Sequence, residues 1–266
     1  MTESMAHCDI VLPAATHFEC ADLYGSYGHH WLQRAEPVIP PQGESLPNTE
    51  IFRRLAARFG FGEPCFTAND AELMDEAVDA ADPRLGGLRP STIPADGAVA
   101  MSASGGKPMV LFENIRPGTP SGKVELKSET LAQRWGAGAL YPEWREREAA
   151  QPLRLISPAS DKRISSTLGG LSGSRKPPPL LMHPNDAAER GLNGGEVRVW
   201  NERGEVFLPL KITDAVPPGV VASEKGAWLS TSRTGQTISA LVSADMRADI
   251  AEGACFNDTP VEVAAA

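Results

Sequence analysis

The stretch from Leu180 to Gly204, LLMHPNDAAERGLNGGEVRVWNERG, constrains this fold more than any other part of the chain. It reads as a short apolar strand followed by a helix of one or two turns. Pro184 or Asn185 opens that helix and Gly191 closes it. A glycine turn then leads into a strand, Glu196–Asn201, and Asn201-x-x-Gly204 turns the chain into a further strand, Val206–Thr213. Ala187 and Leu192 are expected to face a core, and Gly191 and Gly204 to permit positive φ. The residues here are structural in type, so the pattern defines architecture before chemistry.

Short strands separated by turns continue on both sides, at Leu153–Ser157, Gly219–Ser223 and Val261–Val263. This texture, which begins at Pro152, is that of a β-barrel or sandwich. The chain before it differs. Asp9–Leu12 reads as a buried strand, and a chain that opens on such an element predicts a natural beginning elsewhere. Thr16 to Pro47 reads as a long loop. Asn48 is the expected cap of a helix over Thr49–Phe59, with Ile51, Leu55 and Phe59 on one face and Gly60 at its end. A second helix is expected over Ala68–Ala81, capped by Asn69 or Asp70. Met109–Phe112 and Ser121–Leu126 read as short strands, Glu129–Trp135 as a short helix, and Gly136–Gln151 as a connector. The chain of 266 residues thus divides into an α/β piece over 1–150 and a mainly-β domain over 151–266.

Charge and cysteine content exclude several classes of function. Twenty-five Lys and Arg against 34 Asp and Glu give a net charge of −9, against a general nucleic-acid binder. No run approaches the roughly 20 apolar residues of a membrane span. Cys8, Cys20, Cys65 and Cys255 form no Cys-x-x-Cys pair, which gives neither a zinc ribbon nor an iron–sulfur run, and a reducing, cytoplasmic compartment is the default reading. His7, Cys8, His17, Glu19, Cys20, Asp22, His29 and His30 are all metal-ligand types, but their irregular spacing favours ordinary loop and core residues. A Gly-x-Ser-x-Gly elbow and a phosphate-cradling Gly-Lys-Ser/Thr are both missing from the sequence.

One loop carries chemistry. Ser157-Pro-Ala-Ser-Asp-Lys-Arg-Ile-Ser-Ser-Thr167 follows a strand and gathers hydroxyls, backbone donors and two cations into eleven residues. Such a loop suits an anionic or heterocyclic ligand, with a solvated polar loop as the plain alternative.

The motifs Pro184-Asn-Asp-Ala187, Gly191, Gly195-Glu-Val197, Asn201, Gly204 and Pro218-Gly-Val220, closed by Cys255-Phe-Asn-Asp-Thr-Pro-Val-Glu-Val263, resemble the C-terminal cofactor domain of molybdopterin oxidoreductases of the dimethyl sulfoxide reductase family. Asp9-Ile-Val-Leu-Pro13 with Glu19 and Asp22, Pro41-x-Gly43-Glu44, and Ser121–Leu126 resemble the region preceding it. The resemblance implies a six-stranded double-psi β-barrel and a molybdenum bis(molybdopterin guanine dinucleotide) cofactor. It implies that Ser157, Ser165, Ser166 and Thr167 line the pterin or its phosphates, that Lys162 or Arg163 neutralises a phosphate, and that Lys225, Gly226 and Trp228 form a second cofactor-facing loop. For Trp228 a core role stands beside the contact role. Asn257 falls at the closing pterin contact, and Ser239 stands where many members carry Asn. The family's iron–sulfur cluster and molybdenum ligand have no counterpart here and are expected on an N-terminal catalytic portion or partner subunit. The resemblance implies two-electron redox chemistry for the complete enzyme and an inactive chain on its own. The alternative is a non-catalytic binding module or truncated remnant that docks on a separate catalytic subunit.

Overall fold

The computed structural model describes residues 2–25, 27–103, 106–137, 149–162, 164–167, 169, 176–247 and 253–266. They divide into two compact units, Ile10–Ser128 and Met1–Asp9 with Glu129–Ala266.

The unit Ile10–Ser128 combines small sheets with helices. Strands β1 (Asp22–Gly25) and β2 (Trp31–Ala35) form an antiparallel hairpin, and α1 (Asn48–Phe59), α2 (Pro64–Thr67) and α3 (Asp70–Glu76) follow. Strand β3 (Ala98–Ala100) then pairs with β2, and β4 (Ser102–Ala103) with β5 (Lys107–Pro108). Helix α1 ends on Gly60 at φ 77°, and α3 opens on Asn69, whose side chain and that of Glu72 reciprocally bond the backbone in a capping box. Polar contacts knit the unit. Arg53 donates to the Ala68 carbonyl and pairs with Asp70, and Asp75 accepts from both the N–H and the hydroxyl of Ser91.

Several expectations for this unit are corrected. The segment read as loop over Thr16–Pro47 holds the β1–β2 hairpin, because β3, far along the chain, pairs with β2. Asp9–Leu12 is neither strand nor buried: Ile10 is 78% exposed. Met109–Phe112 and Ser121–Leu126 form turns and isolated bridges, since no neighbouring strand among the described residues pairs with them. The Ala68–Ala81 helix is confined to α3, with Pro64–Thr67 a separate turn, and α1 carries no side-chain cap from Asn48.

The second unit contains α4 (Glu129–Trp135) and a closed barrel made of β6 (Leu153–Ile156), β7 (Leu180–Met182), β8 (Glu196–Asn201), β9 (Gly204–Ile212), β10 (Val220–Ala222) and β11 (Thr259–Ala265), with α5 (Pro184–Glu189) between β7 and β8. The strand order is β10-β6-β11-β8-β9-β7, and β7 closes on β10. The β10–β6 and β7–β9 pairs are parallel, and the others are antiparallel. Alternation along each strand fills the interior. Leu155, Leu180, Met182, Val197, Val199 and Val261 are all completely buried.

The motif residues explain the closure. Asp186 accepts the Gly219 N–H at 2.8 Å, which ties the first turn of α5 to the entry of β10, where Gly219 takes φ 80°. Asn201 donates to the Leu241 carbonyl at 2.8 Å and to the Pro260 carbonyl at 3.1 Å, and its Oδ1 accepts the Arg203 N–H at 2.9 Å. One buried amide therefore shapes the β8–β9 turn and fastens both β11 and the chain before it. Gly204 does not take positive φ, contrary to expectation, because the Asn201 side chain makes the turn.

Candidate functional site

Strands β6, β10 and β11 bring their polar residues to one end of the barrel. Parallel pairing sets Ala222 beside Ile156, so Ser223 and Ser157 follow in adjacent register. Antiparallel pairing sets Thr259, the first residue of β11, beside Leu155 at the same end. Ser157, Ser223 and Thr259 are 6%, 1% and 4% exposed, and their hydroxyls find no hydrogen-bond partner among the described residues. A buried hydroxyl left unpaired costs about 1–3 kcal/mol. Three at one mouth mark unmet bonding capacity.

Beyond the strands, the parallel pairing continues into two loops. The Ser223 N–H donates to the Ile156 carbonyl at 3.1 Å, and the Lys225 N–H to the Pro158 carbonyl at 3.0 Å. Further out, the Trp228 indole Nε1 donates to the Ser166 carbonyl at 2.7 Å. The loops touch so closely that only glycine fits at two points. A Cβ on Gly226, whose φ is 92°, would lie 1.9 Å from the Ser165 carbonyl oxygen, and one on Gly169 would lie 2.0 Å from the Trp228 Nε1. Ser165 itself takes φ 51°, a left-handed conformation unusual for a side-chain-bearing residue. Asn257 closes the third side, its Oδ1 accepting the Ser157 N–H at 2.9 Å.

Most residues singled out in the sequence thus converge. Ser157, Ser165, Ser166, Lys225, Gly226, Trp228 and Asn257 belong to one connected set of contacts. Thr167 lies in the same loop, its N–H and hydroxyl both donating to the Ile164 carbonyl. Lys162 is exposed at the rim, with its N–H on the Ser160 hydroxyl. Arg163 lies outside the described residues. Ser239 stands apart, exposed in the 3-10 turn Ile238–Leu241 and with no hydrogen bond to either loop among the described residues. Ser223, Thr259 and Gly169 were not anticipated. The β11 alternation through Val261 and Val263 was the available signal for Thr259, whereas Gly169 required knowing that Trp228 packs against it.

The donor set suits an uncharged heterocycle carrying phosphates. Hydroxyls both donate and accept, and the exposed Lys162 and Lys225 supply positive charge. The architecture is thus a closed barrel whose parallel strand ends open into two mutually packed polar loops. Residues 153–260 match the family model "Molydopterin dinucleotide binding domain", and residues 1–58 match "Molybdopterin oxidoreductase". The chain belongs to the molybdopterin oxidoreductases of the dimethyl sulfoxide reductase family.

Its relatives include the probable oxidoreductase YoaE of Bacillus subtilis, 36% identical over 99% of this chain and 38% of the relative. The dimethyl sulfoxide/trimethylamine N-oxide reductase of Rhodobacter capsulatus is 30% identical over 87% of this chain and 32% of the relative. The chain therefore spans about a third of the length of these curated relatives. Acetylene hydratase from Pelobacter acetylenicus shares the fold, with a TM-score of 0.72 over 96% of this chain and 38% of that protein at 21% identity.

Proposed function

We propose that this chain binds molybdenum bis(molybdopterin guanine dinucleotide) at the barrel mouth, as the cofactor-holding part of an oxidoreductase. The observation that carries the proposal is the convergence of the two loops after β6 and β10 over buried, unpaired hydroxyls. A polar ligand, or waters it orders, would relieve those hydroxyls. Ser157, Ser165, Ser166 and Thr167 with Asn257 would hold the pterin or its phosphates, Lys162, Arg163 and Lys225 would offset phosphate charge, and Gly226 and Trp228 would keep the loops in register. When bound, the cofactor supplies two-electron redox chemistry at molybdenum. The chain's own contribution is to bind and orient it and to close water out of the mouth.

The barrel is inferred to be of the double-psi type, supported by its two parallel strand pairs, each joined through intervening strands. The catalytic portion that supplies a molybdenum ligand, and any iron–sulfur cluster, is inferred to reside on polypeptide equivalent to the two-thirds of the relatives outside the match. The isolated chain is accordingly expected to lack redox turnover. Four unpaired cysteines support a reducing, cytoplasmic setting, and no helix among the described residues is long and apolar enough to cross a membrane.

The test is to purify the protein from its own host, record a native mass spectrum, then oxidise it and look for pterin fluorescence. An assembly carrying pterin and molybdenum is expected. A bare chain of 28.3 kDa without pterin would overturn the proposal and favour a binding module or remnant instead.

A further inference from the structure

The structure assigns to Glu3 a positioning role: it anchors the loop after β10, and through Trp228 it holds the loop after β6. This inference rests on the reading of those two loops as the dinucleotide site, but its mechanical content is independent of the ligand.

Glu3 lies in a 3-10 turn, Glu3–His7, and its partners are 226 and 227 residues away in sequence. One carboxylate oxygen accepts the Leu229 N–H and the other accepts the Ser230 N–H, the latter at 2.5 Å. These residues immediately follow Trp228, whose indole N–H holds the Ser166 carbonyl at 2.7 Å. Trp228 also receives the Thr231 N–H on its own carbonyl, so the turn Leu229–Thr231 is pinned on both sides. Thr2, Glu3, Ser4, His7, Ser166 and Trp228 share the walls of a cavity of about 230 Å³. The N-terminal segment and both loops thus meet around one space. Partial burial opposes the charge on Glu3, yet the Ser230 hydroxyl and the Ser230 and Leu229 N–H groups still hold its carboxyl below the usual range.

Leu229 and Ser230 are exposed, and the stretch 224–232 around them carries no residue of the buried core. Segments of that kind open locally with little cost unless something ties them down. Two charge-assisted hydrogen bonds to consecutive amides are such a tie. Because Trp228 sits between the tie and Ser166, loosening Leu229 and Ser230 must also loosen the contact that keeps the two loops together.

The experiment is hydrogen exchange by NMR on the full, empty chain, comparing wild type with Glu3→Ala and Glu3→Gln. Trp228→Phe identifies the Trp228 indole resonance. The expected result is faster exchange, by about tenfold or more in Glu3→Ala, at the Leu229 and Ser230 amides and also at the Trp228 indole. Glu3→Gln keeps one acceptor oxygen, so its exchange should fall between the two. Barrel amides in β8 and β11 should remain unchanged. Acceleration confined to Leu229 and Ser230 would overturn the inference, leaving Glu3 as the cap of a turn only. So would acceleration throughout the barrel, which would make Glu3 a support of the whole fold. Pterin content of the wild-type protein is measured separately. Its absence would refute the cofactor reading while leaving the exchange result to stand or fall alone.

Discussion

Replacing Asn201 by aspartate changes one atom of a buried side chain and tests how the barrel is fastened. The Asn201 amide nitrogen supplies two donors, to the Leu241 and Pro260 carbonyls, and its oxygen accepts the Arg203 N–H. Only 7% of the residue is exposed. Aspartate keeps the shape and the acceptor but loses both donors and turns an oxygen toward two carbonyl oxygens. Leaving the buried Leu241 carbonyl and the part-buried Pro260 carbonyl unpaired at about 1–3 kcal/mol each, partly relieved by relaxation or protonation, predicts a net loss of about 2–5 kcal/mol at pH 7. In Tm this is roughly 5–15 °C for a unit of this size. The sign of the pH dependence follows from burial. The folded site favours the protonated form of the introduced carboxyl, so its pKa rises above the unfolded value of about 3.9. Below that value both states are protonated and the charge adds no penalty, whereas the penalty grows as pH rises above it. Urea unfolding followed by circular dichroism at pH 7 and pH 4 is the assay. A loss below about 1 kcal/mol at pH 7, or a larger loss at pH 4 than at pH 7, would refute the reasoning.

Two other expectations concern the loop ends of each unit. Glu19 accepts the Thr16 N–H, the Thr16 hydroxyl and the Gln42 N–H, and these bonds, led by the Thr16 N–H, hold its carboxyl below the usual value of 4.5. A lowered folded-state pKa means that its contribution is present above the unfolded pKa and is lost as pH falls through the folded one; amide protection at Thr16 and Gln42 should therefore fall in acid in the wild type, and Glu19→Gln should flatten that dependence. Gly226→Ala brings a methyl group onto the Ser165 carbonyl at a left-handed φ, so the two loops must separate. Chemical shifts of the Trp228 indole and of Thr167 should move while the barrel's urea midpoint changes little, and unmoved shifts would mean that the loops are not in contact.

Periodic elements were legible in the sequence because their side chains carry their own signal. Strand Glu196–Asn201 matches its expected bounds, since Val197, Val199 and Asn201 alternate inward, and Glu129–Trp135 is helical as its composition implies. Helix α1 extends over nearly the expected residues for the same reason. The failures share a different cause. Ile10–Leu12 is apolar, yet no strand among the described residues lies beside it. Asp22–Gly25 and Trp31–Ala35 look like a glycine-bearing loop, yet they pair with each other, and Trp31–Ala35 pairs also with Ala98–Ala100. Strand formation depends on a partner that can be distant in sequence, whereas helix formation depends on neighbours within four residues.

The same division holds at the site. Sequence alone determined the residue types available, namely hydroxyls and cations after one strand, a glycine and a tryptophan after another, and an asparagine near the C-terminus. It also determined the motifs Asp186-Ala187 and Asn201-x-x-Gly204, whose hydrogen bonds require those side chains. Tertiary structure alone decided that Ser223 and Thr259 join Ser157 at one mouth, because that follows from the pairing of β10 and β11 with β6. It decided that Gly169 must be glycine, because Trp228 occupies the space of its missing side chain. And it decided that Glu3 touches Leu229 and Ser230, because a hydrogen bond across 226 and 227 residues leaves no periodic trace in the chain.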